Sequence, residues 1–279
     1  MRVGIGLPGG IPGTDARLLL DWARRADGGP FTSLGVVERV AYDAHEPLTS
    51  LAAAAAVTER VALVTMVVIA PLRNTAVLAK QAALVDALSG GRLVLGLSVG
   101  ARHDDYEVAG VDPSTRGQRL DEQLEDLRTM WDKGGGTPTD GGPRLLVGGG
   151  SDVAFARMAR FADGYVHGGG PPRAFARAAD RARAAWEDHG RPGVPQLWGQ
   201  SYFALGEATT ERALAYMRDY YAFTGPFVEK IVEGLLTTPQ EIAGQVRGYA
   251  EAGCDELVLL PAVADLEQVD RLAEVVAAL

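Results

Sequence analysis

The sequence predicts a (β/α)8 TIM barrel of the α/β class, and three observations support this. Short β-branched segments alternate with longer amphipathic segments almost from end to end, and eight such pairs are present. Strands and helices in this order give a parallel sheet with right-handed crossovers, which eight units close into a barrel. The length of 279 residues suits a fold that often needs about 250 residues.

Each predicted strand is a short run rich in β-branched or aromatic residues that ends at a polar or glycine-rich segment. The predicted strands are Arg2–Leu7, Ser33–Glu38, Val61–Ile69, Arg92–Ser98, Arg144–Gly148, Gly164–His167, Gln196–Leu205 and Glu256–Leu260. The segments between them have helical periodicity, from "DARLLLDWARRA" after the first strand to "LEQVDRLAEVVAAL" after the last.

Two segments depart from the alternation. The glycine-rich stretch "DKGGGTPTDGGP" at 132–143 joins a helix to the next strand, which favours a surface loop over a linker between domains. The helical stretch between Thr209 and Leu236 is longer than a normal barrel crossover and is interrupted by "TGP". It predicts a helical insertion late in the chain, near the barrel mouth or on an oligomer surface. We therefore expect residues 1–279 to form one domain.

Charge and composition argue against several classes of protein. The net charge of −9 opposes binding to nucleic acid or to anionic membranes. No segment reaches the roughly 18 uncharged apolar residues of a membrane helix, and the N-terminus has no signal sequence, so we expect a cytoplasmic protein. Cys254 is the single cysteine, which excludes an internal disulfide. No metal site is expected, because His-rich and HExxH spacings are absent from the sequence.

Ligands of TIM barrels bind at the C-terminal ends of the strands, where this sequence is rich in glycine. Gly100 follows the fourth predicted strand, and "VGGGSD" at 147–152 follows the fifth. The second segment enters a helix with Ser151 or Asp152 as N-cap, which would leave free amides for an anion. From the residues alone, phosphate binding and a plain tight turn both remain open. Arg102 is a further candidate for the phosphate, because arginine offers a planar, persistent charge.

Three segments together carry a resemblance to a known family. They are "RNTAVLAKQAALVDALSGGRLVLGLSVGARHDDYEVAGVDPSTRGQRLDEQLEDLRTMW" at 73–131, "PRLLVGGGSDVAFARMARFADGYVHGG" at 143–169 and "YAEAGCDELVLLP" at 249–261. This combination resembles the bacterial luciferase-like family of flavin or deazaflavin oxidoreductases. The resemblance implies a TIM barrel that holds reduced FMN or coenzyme F420 at its mouth and acts on a small organic substrate. It also implies either monooxygenation or hydride transfer, and a homodimer formed through helices near the third and fourth units.

The resemblance also assigns residues by position. Met66, Val67 and Val68 match a stretch in which the family has an unusual cis peptide behind the ring. Ser98, Gly100 and Ala101 match positions that flank the ring and phosphate. The backbone loop that contacts the phosphate or side chain of the cofactor in many relatives is matched by Gly148, Gly149, Gly150 and Ser151.

The catalytic residues are harder to assign, because two family positions differ here. Arg39 stands where many relatives have a histidine, and Ala101 stands where F420 dehydrogenases often have a glutamate. Arg39 could hold an anion or reduced flavin, or form a rim ion pair with Glu38 or Asp43. His45 and His103 are candidates for the acid or base, since imidazole titrates near neutral pH. His45 could equally be a solvated loop residue, and His103 part of a helix start.

Several alternatives stay open at this point. Four aromatic residues could line a substrate pocket or belong to the core: Tyr42, Trp198, Tyr202 and Phe203. The chain could also be a flavin-binding barrel without catalysis, or a cofactor-free TIM-barrel lyase or isomerase acting on a phosphorylated substrate. A Schiff-base lysine is not expected, since Lys80, Lys133 and Lys230 lie away from the predicted strand ends.

Overall fold

The computed structural model describes residues 1–132 and 138–279, so residues 133–137 of the predicted glycine-rich loop lie outside the described part. The strands are β1 (Arg2–Gly6), β2 (Ser33–Val36), β3 (Ala62–Thr65), β4 (Val68–Ile69), β5 (Leu93–Ser98), β6 (Arg144–Gly148), β7 (Gly164–His167), β8 (Gln196–Phe203) and β9 (Glu256–Pro261). They form one closed parallel barrel, in which β3 pairs with both β2 and β5. Going round the barrel, the strand order is β3, β2, β1, β9, β8, β7, β6, β5.

The eight predicted strands are confirmed, with one change. The predicted strand Val61–Ile69 is divided into β3 and the short β4, which both pair with β5. A cis peptide bond between Met66 and Val67 lies at the division. Beyond the division the pairing with β5 continues, with the register shifted by one residue, since Val64 lies opposite Val94 and Val68 lies opposite Leu97.

Helices surround the barrel. They are α1 (Ala16–Asp27), α2 (Pro47–Ala55), α3 (Thr75–Ser89), α4 (His103–Ala109), α5 (Arg116–Asp132), α6 (Asp152–Phe161), α7 (Pro172–Asp188), α8 (Thr210–Tyr220), α9 (Val228–Val232), α10 (Pro239–Glu251) and α11 (Glu267–Ala277). None of the helices in the described ranges is both long and apolar enough to cross a membrane.

The strands alternate between two cores, as period-two side-chain geometry requires. One set of side chains, including Val94, Leu146 and Val258, fills the barrel interior. The other set, including Leu95, Leu145 and Leu257, packs against the surrounding helices. With its interior filled, the barrel has room for a ligand only beyond the strand ends.

The predicted insertion is confirmed as a helical segment between β8 and α10, built from α8, a 3-10 turn at Ala222–Phe227 and α9. After α9 the chain returns beside β8, where Leu236 bridges to Phe203. The segment carries buried aromatic side chains, among them Tyr216 and Tyr220, that pack together with Tyr202 of β8. The insertion thus covers part of the barrel mouth.

Candidate active site

A cavity of about 470 Å³ lies at the C-terminal ends of the strands and is partly covered by the insertion. Most of the predicted cofactor residues line it: Met66, Val67, Ser98, Gly100, Ala101, Arg102, Gly148, Gly149, Gly150 and Ser151. Val68 is the exception, because its side chain is fully buried in the core outside the barrel. A volume of this size is within the range of small-molecule sites.

At two positions of the rim, the backbone conformation and the nearby atoms leave room only for glycine. Gly100 has a φ of +67°, and a Cβ there would lie 2.7 Å from Ile69 Cγ2. Gly149 has a φ of +137°, and a Cβ there would lie 2.6 Å from the Cβ of Ala154. Any side chain at either position would therefore strain the chain.

Two other cavity-lining glycines leave open space. A Cβ on Gly150 or on Gly168 would meet no atom within 4 Å. Gly150 directly precedes Ser151, whose hydroxyl caps α6 by accepting a hydrogen bond from the Ala154 amide at 3.2 Å. The rim at β6 and β7 thus has room for a ligand to approach the backbone closely.

Glu38 and Arg39, adjacent at the end of the second barrel strand, have different partners. The Glu38 carboxylate accepts hydrogen bonds from the Ile69 amide and from the Arg73 guanidinium, so it ties β2 to β4. The suggested rim ion pair of Arg39 with Glu38 or Asp43 is wrong, because Arg39 pairs with Asp104 and Asp105. The Asp105 carboxylate also accepts the Val40 and Ala41 amides at 2.7 Å each.

The two predicted histidines lie away from the cavity lining. His45 is held against the loop after β1, because its amide donates to the Gly9 carbonyl and its Nε2 lies 2.9 Å from the Thr14 carbonyl oxygen. His103 is an exposed residue at the start of α4. Neither residue is among those that border the cavity, which corrects their expected placement.

His167, at the end of β7, is the cavity-lining histidine among the described residues. The Tyr165 hydroxyl donates to the Gly149 carbonyl at 2.9 Å, and its oxygen lies 3.4 Å from His167 Nδ1. The buried Nε2 of His167 has no hydrogen-bond partner among the described residues. Burial lowers the pKa of His167, against an opposing effect of the Gly169 backbone.

Gln200 provides a second buried polar atom on the cavity wall. Its amide nitrogen donates to the Gly168 carbonyl at 3.1 Å, while its buried Oε1 has no partner among the described residues. Buried polar atoms are nearly always hydrogen-bonded in native proteins, so His167 Nε2 and Gln200 Oε1 are two positions at which the cavity can bind a polar molecule. The sequence predicts His167 at the end of one strand and Gln200 inside another, but periodicity gives no signal that their polar atoms lack partners.

The four aromatic candidates are divided between cavity and core. Tyr202 lines the cavity, and its hydroxyl oxygen accepts a hydrogen bond from the Tyr221 hydroxyl at 3.3 Å. Trp198 is buried deeper in the barrel interior, and Phe203 belongs to the outer core. Tyr42 packs edge-on against Tyr220 of the insertion.

Arg102 lies between the strand ends and the insertion. Its guanidinium carbon is 4.2 Å from the ring centroid of Tyr220, 4.3 Å from that of Phe223 and 5.5 Å from that of Tyr221. Its Nη2 donates to the Tyr220 carbonyl at 2.9 Å. The side chain is buried yet still borders the cavity.

A parallel barrel with a glycine-rimmed cavity at its C-terminal mouth and a cis peptide at Met66 and Val67 fits the family suggested by the sequence. The model of the luciferase-like monooxygenase family matches residues 1–236. The chain belongs to this family.

Individual relatives are about a third identical to the chain over the residues that align. The uncharacterized protein Rv0940c of Mycobacterium tuberculosis is 32% identical over 215 residues, which cover 64% of this chain and 74% of that protein. Pyrimidine monooxygenase RutA of Escherichia coli is 32% identical over 169 residues, which cover 52% of this chain but only 46% of RutA.

Solved structures resemble the whole fold at lower identity. Monooxygenase RslO1 from Streptomyces bottropensis has a TM-score of 0.82 at 23% identity, covering 100% of this chain and 98% of its own. An F420-dependent secondary alcohol dehydrogenase in complex with an F420-acetone adduct has a TM-score of 0.83 at 16% identity, covering 99% of this chain and 98% of its own. At these identities the likeness concerns the fold.

Proposed function

We propose that the protein is an oxidoreductase that binds reduced FMN or coenzyme F420 in the cavity at the barrel mouth and acts on a small organic substrate beside it. The observation that carries this proposal is the combination, in one cavity, of open glycine positions with two buried polar atoms that have no hydrogen-bond partner among the described residues. Gly150 and Gly168 allow close approach to the backbone, and the two atoms are His167 Nε2 and Gln200 Oε1.

These features fit the proposed cofactors. The flavin and deazaflavin rings both carry an N3–H group, a donor suited to an unpartnered acceptor such as Gln200 Oε1. The phosphate would lie at the loop Gly148–Ser151, where the amides at the start of α6 favour an anion. Met66, Val67, Ser98, Gly100 and Ala101 would border the ring.

The bound cofactor would supply the electron pair, and the protein would position it and exclude water. His167 is our candidate for the group that accepts or returns a proton, because its free Nε2 borders the cavity and burial lowers the pKa of its imidazole. Arg39 would contribute a positive charge at the edge of the cavity, and its ion pairs with Asp104 and Asp105 would hold it in place.

Titration of the purified protein with FMN, reduced FMN and coenzyme F420, followed by fluorescence and calorimetry, tests this function. Preference for coenzyme F420 would indicate hydride transfer, and preference for reduced FMN would indicate oxygen chemistry. Binding of none of them would contradict the proposal. A His167→Gln variant that binds the cofactor normally but loses turnover would support the role of the imidazole.

We also propose that the protein forms a homodimer through α3. This helix exposes Val77, Leu84 and Leu88, which are 54%, 58% and 51% accessible. Their spacing of seven and four residues places them on one face of the helix. A second copy of the chain would cover this apolar face.

A further inference from the structure

Three arginines border the cavity within the described residues, and they differ in how their charge is balanced. Arg39 pairs with Asp104 and Asp105, and Arg157 pairs with Asp121 at 2.6 Å. Arg102 has no carboxylate within 4.0 Å among the described residues. Among the described residues it is therefore a buried cavity arginine without an ion pair.

The contacts that Arg102 makes with the described residues use only some of the N–H groups of its guanidinium. Tyr220 and Phe223 provide ring contacts that stabilise a cation in a partly dry site. Of the five N–H groups of the guanidinium, one hydrogen bond is made, to the Tyr220 carbonyl. The remaining donors form a planar fork, which matches the two oxygens of a carboxylate.

Burying a cation is costly unless it is paired and hydrogen-bonded. Because the cavity borders Arg102, a bound ligand can supply the missing negative charge. The favoured ligand group is planar and anionic, and aromatic rings at the same end of the cavity provide an apolar surface for the rest of the molecule.

We propose that Arg102 binds the carboxylate of the substrate, so that the substrate is a small organic acid. This inference rests on the proposed function, since it concerns the same cavity. The insertion supplies the rings around Arg102, whereas the loop Gly148–Ser151 provides a separate place for the cofactor phosphate at the start of α6. Arg102 thus selects the substrate by its charge.

The test uses the full-length protein, with and without cofactor, and matched pairs of acids and primary amides. The pairs are benzoate and benzamide, cinnamate and cinnamamide, and butyrate and butyramide, titrated calorimetrically at pH 7.5. We expect at least one acid to bind the wild type about tenfold or more tightly than its amide, because a charge-assisted pair in a dry site contributes that much or more. If no acid binds better than its amide, the proposal is wrong.

Variants of Arg102 and Arg157 test which arginine is responsible for the preference for the acid. Arg102→Gln should bring the acid-to-amide ratio close to one, and Arg102→Lys should keep an intermediate ratio because it retains charge without the planar fork. Arg157→Gln is the matched control, since it removes a cavity arginine whose charge Asp121 already balances, and it should keep most of the ratio. An Arg102→Gln protein that is folded by circular dichroism and keeps the wild-type ratio would overturn the assignment.

A second comparison separates substrate from cofactor. FMN and riboflavin differ only in the phosphate, whereas coenzyme F420 differs from its deazaflavin core in a tail that carries a phosphate and carboxylates. If Arg102→Gln weakens only the phosphate-bearing member of a pair and leaves the acid-to-amide ratio intact, Arg102 holds the cofactor and the proposal fails. If neither cofactor binds while the acid preference still depends on Arg102, the proposed function fails and the assignment of Arg102 stands.

Discussion

Gly149 and Gly150 are neighbours in one loop, but only Gly150 offers space and an ordinary φ for a side chain. Gly150→Asp should weaken binding of the phosphate-bearing cofactor about tenfold, because a carboxylate would face an anion near the amides of α6. Gly150→Ala adds a Cβ without charge and should change the affinity less than about threefold. Calorimetric titration of both variants measures the difference. Equal affinities for the two variants would rule out a phosphate at this loop.

His167 provides a prediction about pH. Burial lowers the pKa of its imidazole below the usual 6.5, so the folded protein binds a proton there less readily than the unfolded chain. The resulting stability is present above about pH 6.5 and is lost as the pH falls through the folded pKa. His167→Gln should therefore lose less free energy of unfolding between pH 7.5 and pH 5 than the wild type. Urea denaturation at both pH values measures this, and identical losses would contradict it.

For single residues, the sequence predicted which ones border the cavity more successfully than it predicted their hydrogen-bond partners. Ser98, Gly100 and Gly150 border the cavity as expected, because a strand end in a barrel determines where the chain passes. The histidine that borders the cavity was not predicted. His45 lies outside the cavity because it is hydrogen-bonded to the loop after β1. Whether His167 Nε2 has a partner depends on contacts between strands, and the periodicity of the sequence carries no information on such contacts.

Among the elements, the loop after β2 and helix α4 are joined by one buried carboxylate. Asp105 is fully buried and binds Arg39 together with two backbone amides of the loop. Asp105→Ala should lower the free energy of unfolding by about 3 kcal/mol or more, because it leaves Arg39 without its buried partner. Asp104→Ala removes the half-exposed partner of the same arginine and should cost about 1 kcal/mol or less. Chemical denaturation compares the two, and similar costs would contradict the assigned importance of Asp105.

The elements themselves were largely predictable. Each predicted strand exists, because runs such as "RLVLGLS" combine β-branched or apolar residues with a clear turn at each end. The cis peptide between Met66 and Val67 was suggested only by the family resemblance, and the division of Val61–Ile69 was not predicted. Propensity does not distinguish one long strand from β3 followed by β4, since both halves are apolar and buried.

For the whole molecule, the exposed face of α3 gives a prediction about assembly. Leu84→Glu should shift the protein from dimer to monomer, because it places a charge in the centre of the proposed apolar contact. Val194→Glu is the control, since Val194 is 79% accessible but lies in the loop before β8. Light scattering coupled to size exclusion gives the mass of each variant. A monomeric wild type would exclude the dimer.

Strand order has a consequence for how the protein is made. The first strand, β1, lies between β2 and β9, and β9 is the last strand of the chain. While the chain is being synthesised, β1 and β8 therefore remain open edges until residues 256–261 have left the ribosome. Unpaired edges invite pairing with other chains. The nascent protein is thus exposed to such pairing until β9 is available to close the barrel.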